Sequence, residues 1–196
     1  MVAREAILAL SLLMPACASA HFYYLENAQV EAPCHEGQGR ESGIARLLDG
    51  HHIGAGDKVV LLVRKFDYGE LTSVDDEIFE KLTIQIRKAE VGAPVSLDSS
   101  DVLVTYSRGG AAWISRPVGV YSSSVSGSLL IAERQKDHLR VEIDLTVEAR
   151  PAKAWAGMTG RTIRIRESRV FTRLGLRDLT PWLGRCDPSI YKEVYP

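Results

Sequence analysis

Six carboxylates fall within fourteen residues: Asp67, Glu70, Asp75, Asp76, Glu77 and Glu80. Paired carboxylates can serve as acid and base in glycoside hydrolysis, and a dense set in one loop can hold calcium. The spacing does not follow an EF-hand loop, whose central glycine has no counterpart here. An exposed loop or helix start is the plainer reading, with a hydrolase as an alternative. The second charged series is basic: Arg161, Arg164, Arg166, Arg169, Arg173 and Arg177. Arg164 and Arg166 alternate with Ile163 and Ile165, which puts them on the wet face of one strand. Arg164, Arg166 and Arg169 are candidates for an anionic ligand such as a lipid headgroup or polysaccharide. Their competing use is cross-strand pairing with Glu142, Asp144 and Glu148, worth about 0.2–1 kcal/mol per pair.

Other chemistry finds less support. His51 and His52 are adjacent in a glycine-flanked stretch, where a loop would let both face one ion and a strand would point them apart. There is no H-x-x-x-H, no C-x-x-C and no third clustered ligand, so a zinc site is not expected. G-x-S-x-G is absent, as are the glycine-rich loops that cradle phosphates. Cys34 precedes His35, but a cysteine held in a disulfide cannot act as a nucleophile.

The first twenty residues read as an export signal. Ala6–Met14 is an unbroken run of apolar residues and serine, Pro15 breaks it, and Ala18-Ser19-Ala20 supplies small residues for cleavage. The run is shorter than the roughly 20 apolar residues that cross a bilayer as a helix, and no other window is long enough. Leu12 to Cys17 faintly resembles the lipobox of bacterial lipoproteins, although Met14 and Pro15 depart from it. A lipid anchor at Cys17 is therefore the alternative to soluble release. Cleavage after Ala20 would leave His21 first, with its α-amine and imidazole on one residue. That arrangement resembles the N-terminal brace of some exported copper proteins, with His51 and His52 as partners; imidazole nitrogens suit Cu(II).

Export also fits the cysteines. Cys17, Cys34 and Cys186 are the three in the chain, and either processing route removes Cys17 from the count. The remaining pair is expected to form one disulfide in an oxidising compartment. The net charge of −1 hides an asymmetry, because residues 151–196 carry nine Lys or Arg against four Asp or Glu. Nucleic acid is not the expected partner, since the chain is exported and its aromatics do not interleave with the arginines.

These groups must be positioned mainly by strands. His138–Ala149 alternates cleanly, with Leu139, Val141, Ile143, Leu145 and Val147 opposing Arg140, Glu142, Asp144, Thr146 and Glu148. Ser128–Gln135 precedes it, and Lys136-Asp137 can close a hairpin between the two. Lys58–Phe66 is nearly continuous in apolar residues, as in a strand covered on both faces. Phe22–Val30, Leu82–Lys88, Val102–Ser107, Ala111–Ser115, Val118–Ser124 and Thr162–Arg173 complete the set. Gly54-Ala55-Gly56, Arg108-Gly109-Gly110 and Gly157–Gly160 read as turns. Ile44–Asp49 and Asp75–Lys81 offer a helical turn or two, and Asp187-Pro188 can start a short helix over Ser189–Val194.

The expectation is an all-β fold: a signal peptide over 1–20, then one antiparallel β-sandwich over 21–196, or a partly open β-barrel, with a short C-terminal helix. The function expected of it is non-enzymatic binding or assembly in the periplasm or outside the cell. Its partner would be an envelope protein, lipid or glycan. A copper protein using His21, His51 and His52 and a hydrolase using the Asp67–Glu80 carboxylates are the alternatives.

Overall fold

The computed structural model describes residues 19–33, 51–68, 77–111, 119–151, 161–180 and 182–185. They form β1 (Ser19–Pro33), β2 (His51–Tyr68), β3 (Glu77–Ile86), β4 (Pro94–Ser96), β5 (Leu103–Ala111), β6 (Gly119–Gln135), β7 (His138–Pro151) and β8 (Arg161–Arg173). The all-β expectation is borne out, as a single sheet in the order β4-β6-β5-β3-β2-β1-β8-β7. β6 also pairs along β7, so the sheet curls over on itself. It is not closed as a barrel: among the described residues β1 and β8 meet through two residue pairs, Tyr23 with Thr172 and Tyr24 with Arg173. The sole helical element among the described residues is a 3-10 turn, Leu176–Asp178. The helix expected over Ser189–Val194 lies outside the described residues, as does Ile44–Asp49.

The concave side of the sheet holds the main core. Leu139, Val141, Ile143, Leu145 and Val147 of β7 are all buried in it, opposite Val59, Leu61 and Val63 of β2 and Leu82, Ile84 and Ile86 of β3. Period-two alternation decides this placement, since a slip of one residue would expose the whole row. The β6–β7 hairpin closes at Gln135 and His138, leaving Lys136-Asp137 as its loop. Gly127 sits in β6 with φ +131°, and a Cβ there would lie 2.2 Å from the Asp144 carbonyl oxygen. Only glycine lets β6 run unbroken past β7 at that point.

β2 is buried on both faces, as its apolar run requires. Its other face carries Val60 and Leu62, which join Leu25, Ala28, Ile53, Leu179 and Leu183 in a smaller core. The C-terminal segment covers this face through Leu179 and Leu183. Asn27 takes φ +53°, and the ladder shifts register where Ala28 faces both Ala55 and Lys58. Bulges of this kind bend a strand pair. Gly54-Ala55-Gly56 is therefore part of a strand and not the turn expected from its composition. Asp75–Lys81 is likewise no helix where described, since Glu77–Lys81 ladder with both β2 and β5. Arg108-Gly109-Gly110 also lies within a strand, β5.

Candidate functional site

The seam between β1 and β8 is where the sheet is least complete. β8 pairs with β7 from Arg161 to Thr172, whereas β1 reaches only Thr172 and Arg173 on its other edge. Among the described residues, Arg161–Phe171 thus has a strand neighbour on one edge alone. Eleven residues of extended chain cover roughly 36 Å. The strand carries five arginines and one glutamate, a net of +4. Most of its side chains are exposed, and Val170 keeps 49% of its surface in water.

The structure splits the three arginine candidates between two faces. Arg164 and Arg166 project from the convex face toward Asp144 of β7. Arg166 donates to Asp144 Oδ2 from Nη2 at 2.6 Å and Nε at 3.0 Å, and Arg164 reaches Oδ1 at 3.4 Å. Hydrogen bonds from Arg166 and then Arg164 hold the Asp144 carboxyl below the usual carboxylate range. Two guanidinium groups share this one carboxylate, so positive charge remains in excess there. Thr162 donates to Glu148 on the same face at 2.9 Å. Arg169 lies on the alternate side, 5.7 Å from the Phe22 ring centroid and 3.6 Å from Glu167.

Behind the seam, on the concave side, charges interrupt the apolar rows. Lys65 continues the Val59, Leu61, Val63 row of β2, and its ammonium is bonded to Glu167 of β8 and lies 3.4 Å from Glu80 of β3. Burial opposes the Lys65 charge, but the Glu167 hydrogen bond and the charges of Glu80 and Glu167 outweigh it. Its pKa is raised above the ordinary lysine value. Tyr106 lies on the same face, and burial followed by the Glu80 charge pushes its phenol upward. Phe22 packs edge-on to Phe171 at 5.5 Å beside them. A lysine held between two carboxylates bridges β2, β3 and β8 where the backbone ladder between β1 and β8 is lacking.

No family model, no curated protein and no solved structure matches this chain.

Of the histidines, His21 stacks on Tyr23 at 6.1 Å, and His52 lies 3.9 Å from Glu31. His51 pairs with Pro33, and burial, then the Arg64 charge, lowers its pKa. The structure does not bring His21, His51 and His52 together as ligands. Among the described residues no three His, Cys, Asp or Glu side chains are grouped to hold a metal. Of the six carboxylates expected to cluster, Glu80 is the one whose side chain is described, and it faces Lys65. Cys17, Cys34 and Cys186 lie outside the described residues. Sequence reasoning missed Lys65 and Glu167; the available signal was a charge at an inward position of an otherwise apolar alternating strand.

A second polar group fastens the C-terminal chain to the convex face. Arg64 is 3% exposed, and all its partners are neutral. Its Nε donates to the Trp182 carbonyl at 3.1 Å, Nη1 to the Val63 and Leu82 carbonyls, and Nη2 to Thr83 Oγ1 and the Leu183 carbonyl. Burial lowers its pKa to about 9, which still leaves it charged at neutral pH. Lys81 lies 4.8 Å from the centroid of the Trp182 ring. Gly184, with φ +125°, then accepts from Ile53 N at 3.0 Å. Among the described residues, no helix is long and apolar enough to cross a membrane.

Proposed function

We propose that this chain is a non-enzymatic binding or assembly module of the cell envelope or exterior, and that it meets its partner at the seam between β1 and β8. The observation that carries this reading is the long edge of β8, rich in arginine and, among the described residues, paired along its length with β7 alone. Sheet edges offer backbone donors and acceptors to other chains, and natural proteins pair, cover or charge them. Among the described residues, Glu80 and Glu167 share one cation, Lys65, which favours a structural use of this pair over an enzymatic one. The export part of the reading rests on the Ala6–Met14 run and the Ala18-Ser19-Ala20 site.

The address is tested by intact mass of the exported protein, which should begin at His21. Retention of Met1 would remove the basis for the address, and a diacylglyceryl mass on Cys17 would move the protein to a membrane anchor. The seam is tested by placing a photo-crosslinking residue at Val170 or at Val91, an equally exposed apolar site away from β8. In intact cells Val170 should give a discrete adduct that Val91 does not. Equal labelling from both sites, or none from Val170, would count against the seam.

A further inference from the structure

We infer that the cut after Ala20 is made on the unfolded chain, before β1 pairs with β2, and that a precursor which folds first keeps its leader. The inference rests on the export reading above and adds the order of its steps. Leader removal follows transfer, so the chain crosses the membrane unfolded.

Three observations carry it. First, the bond to be cut lies inside a ladder. β1 pairs with β2 in unbroken register from Ser19 with Phe66 to Glu26 with Val59, so Ala20 faces Lys65 and His21 faces Arg64. Leu174 donates to the Tyr24 carbonyl at 2.8 Å, so even-numbered residues of this stretch turn their N–H and C=O toward β8. Odd-numbered residues turn theirs toward β2. The His21 N–H, which belongs to the bond that is cut, is therefore directed at β2 opposite Arg64. A peptidase takes such a segment into its cleft only after the segment has come away from its neighbour.

Second, the chain just beyond the cut is held on both faces. Phe22 packs on the main core and edge-on to Phe171 at 5.5 Å, and Tyr23 packs on the smaller core. Tyr24 and Leu25 are fully buried.

Third, the facing residues of β2 are themselves fixed. Arg64 clamps the Trp182 and Leu183 carbonyls, and Lys65 is bonded to Glu167 of β8. β2 does not yield, and exposing the bond means peeling away a strand that is anchored immediately after the cut. Cutting before folding sacrifices little. It removes only the pairs of Ser19 with Phe66 and Ala20 with Lys65, and β1 then begins at His21 with its anchors intact. Hydrolysis adds one water across the Ala20–His21 bond, leaving a carboxylate on Ala20 and an amine on His21.

The test uses the full 196-residue precursor and purified signal peptidase in detergent. Wild-type precursor is folded first, and the Val141→Asp precursor, whose cleavage site is unchanged, serves as the unfolded substrate. Should circular dichroism show Val141→Asp folded, wild-type precursor diluted from urea directly into the peptidase takes its place. The folded precursor should be cut at least about tenfold more slowly, because cleavage then follows the small population of the opened state. Phe171→Leu, which loosens the Phe22 contact without altering the site, should be cut faster than wild type while its circular dichroism stays native. An unchanged rate for Phe171→Leu would overturn the hold on β1 as the cause. A folded precursor cut as fast as the unfolded one would overturn the order of steps and leave the export reading standing. If even the unfolded precursor is not cut after Ala20, the order falls together with that reading.

Discussion

Arg64 of β2 and Trp182 are 118 positions apart, yet the arginine Nε donates to the Trp182 carbonyl at 3.1 Å. This bond and its companion to Leu183 tie the last described residues to the convex face of the sheet. Every donor of the guanidinium has a partner, and no carboxylate is among them. A buried charge of this kind is tolerated because it is completely hydrogen-bonded. Arg64→Met would leave several buried carbonyls without their donor and should cost about 2–4 kcal/mol. Lysine has a point charge and three donors in place of the planar fork, so Arg64→Lys should restore only part of that loss. Urea denaturation measures both variants; a near-neutral Arg64→Met would show that the clamp is incidental.

Lys65 gives a pH signature. Its folded pKa lies above the ordinary value of 10.5, so its contribution to stability is complete below that value. The contribution disappears as pH climbs through the higher folded pKa. Lys65→Met should lower stability at neutral pH by about 2–3 kcal/mol, by leaving Glu80 and Glu167 without their shared cation. Glu167→Gln added to that variant should recover part of the loss. Stability curves from pH 8 to 12 should converge for wild type and Lys65→Met at the alkaline end; parallel curves would contradict the assignment.

The β7 strand separates core from surface. Val141→Asp or Ile143→Asp should prevent stable folding, because an unpaired carboxylate would replace apolar packing. Glu142→Gln lies on the exposed side and should change stability by less than about 0.5 kcal/mol. Thermal melts distinguish the two classes, and a folded Val141→Asp protein would show that the inner row is misplaced.

These contrasts show where the sequence was legible. Strict alternation in β7 and the unbroken apolar run of β2 announced one-sided and two-sided burial, and both are found. The glycines at 54 and 56 were misread as a turn because a bulge needs the same residues as a turn does. Glu77–Lys81 has helix-compatible residues, but two neighbouring strands override that local preference. Arg169 was grouped with Arg164 and Arg166, although counting by two already separates an odd position from even ones. The short β1–β8 ladder of the described residues was not legible at all. Which edge of a strand goes unpaired is decided by the order of strands in the sheet, and side-chain patterns report faces, not edges.

The cysteine pair remains a prediction. Pro33, which precedes Cys34, pairs with His51; Gly184, two residues before Cys186, accepts a hydrogen bond from Ile53 N. Pro33 and Gly184, described residues close to the two cysteines in sequence, thus lie at the same end of β2. Denatured but unreduced protein should take up no thiol alkylator at either residue, and two equivalents should add after reduction. A bridge spanning so long a loop contributes roughly 3–5 kcal/mol in the chain-entropy model, which Cys34→Ser should remove. Alkylation of Cys34 and Cys186 without reduction would refute the bridge.

Residue-resolved amide hydrogen exchange along β8 tests the open seam most directly. In the exported protein without partner, amides from Arg161 to Val170 should alternate, with those bonded to β7 exchanging slowly and those facing the seam exchanging fast. Uniformly slow exchange across Arg161–Val170 in the free protein would mean that the edge is already occupied, and would contradict the account.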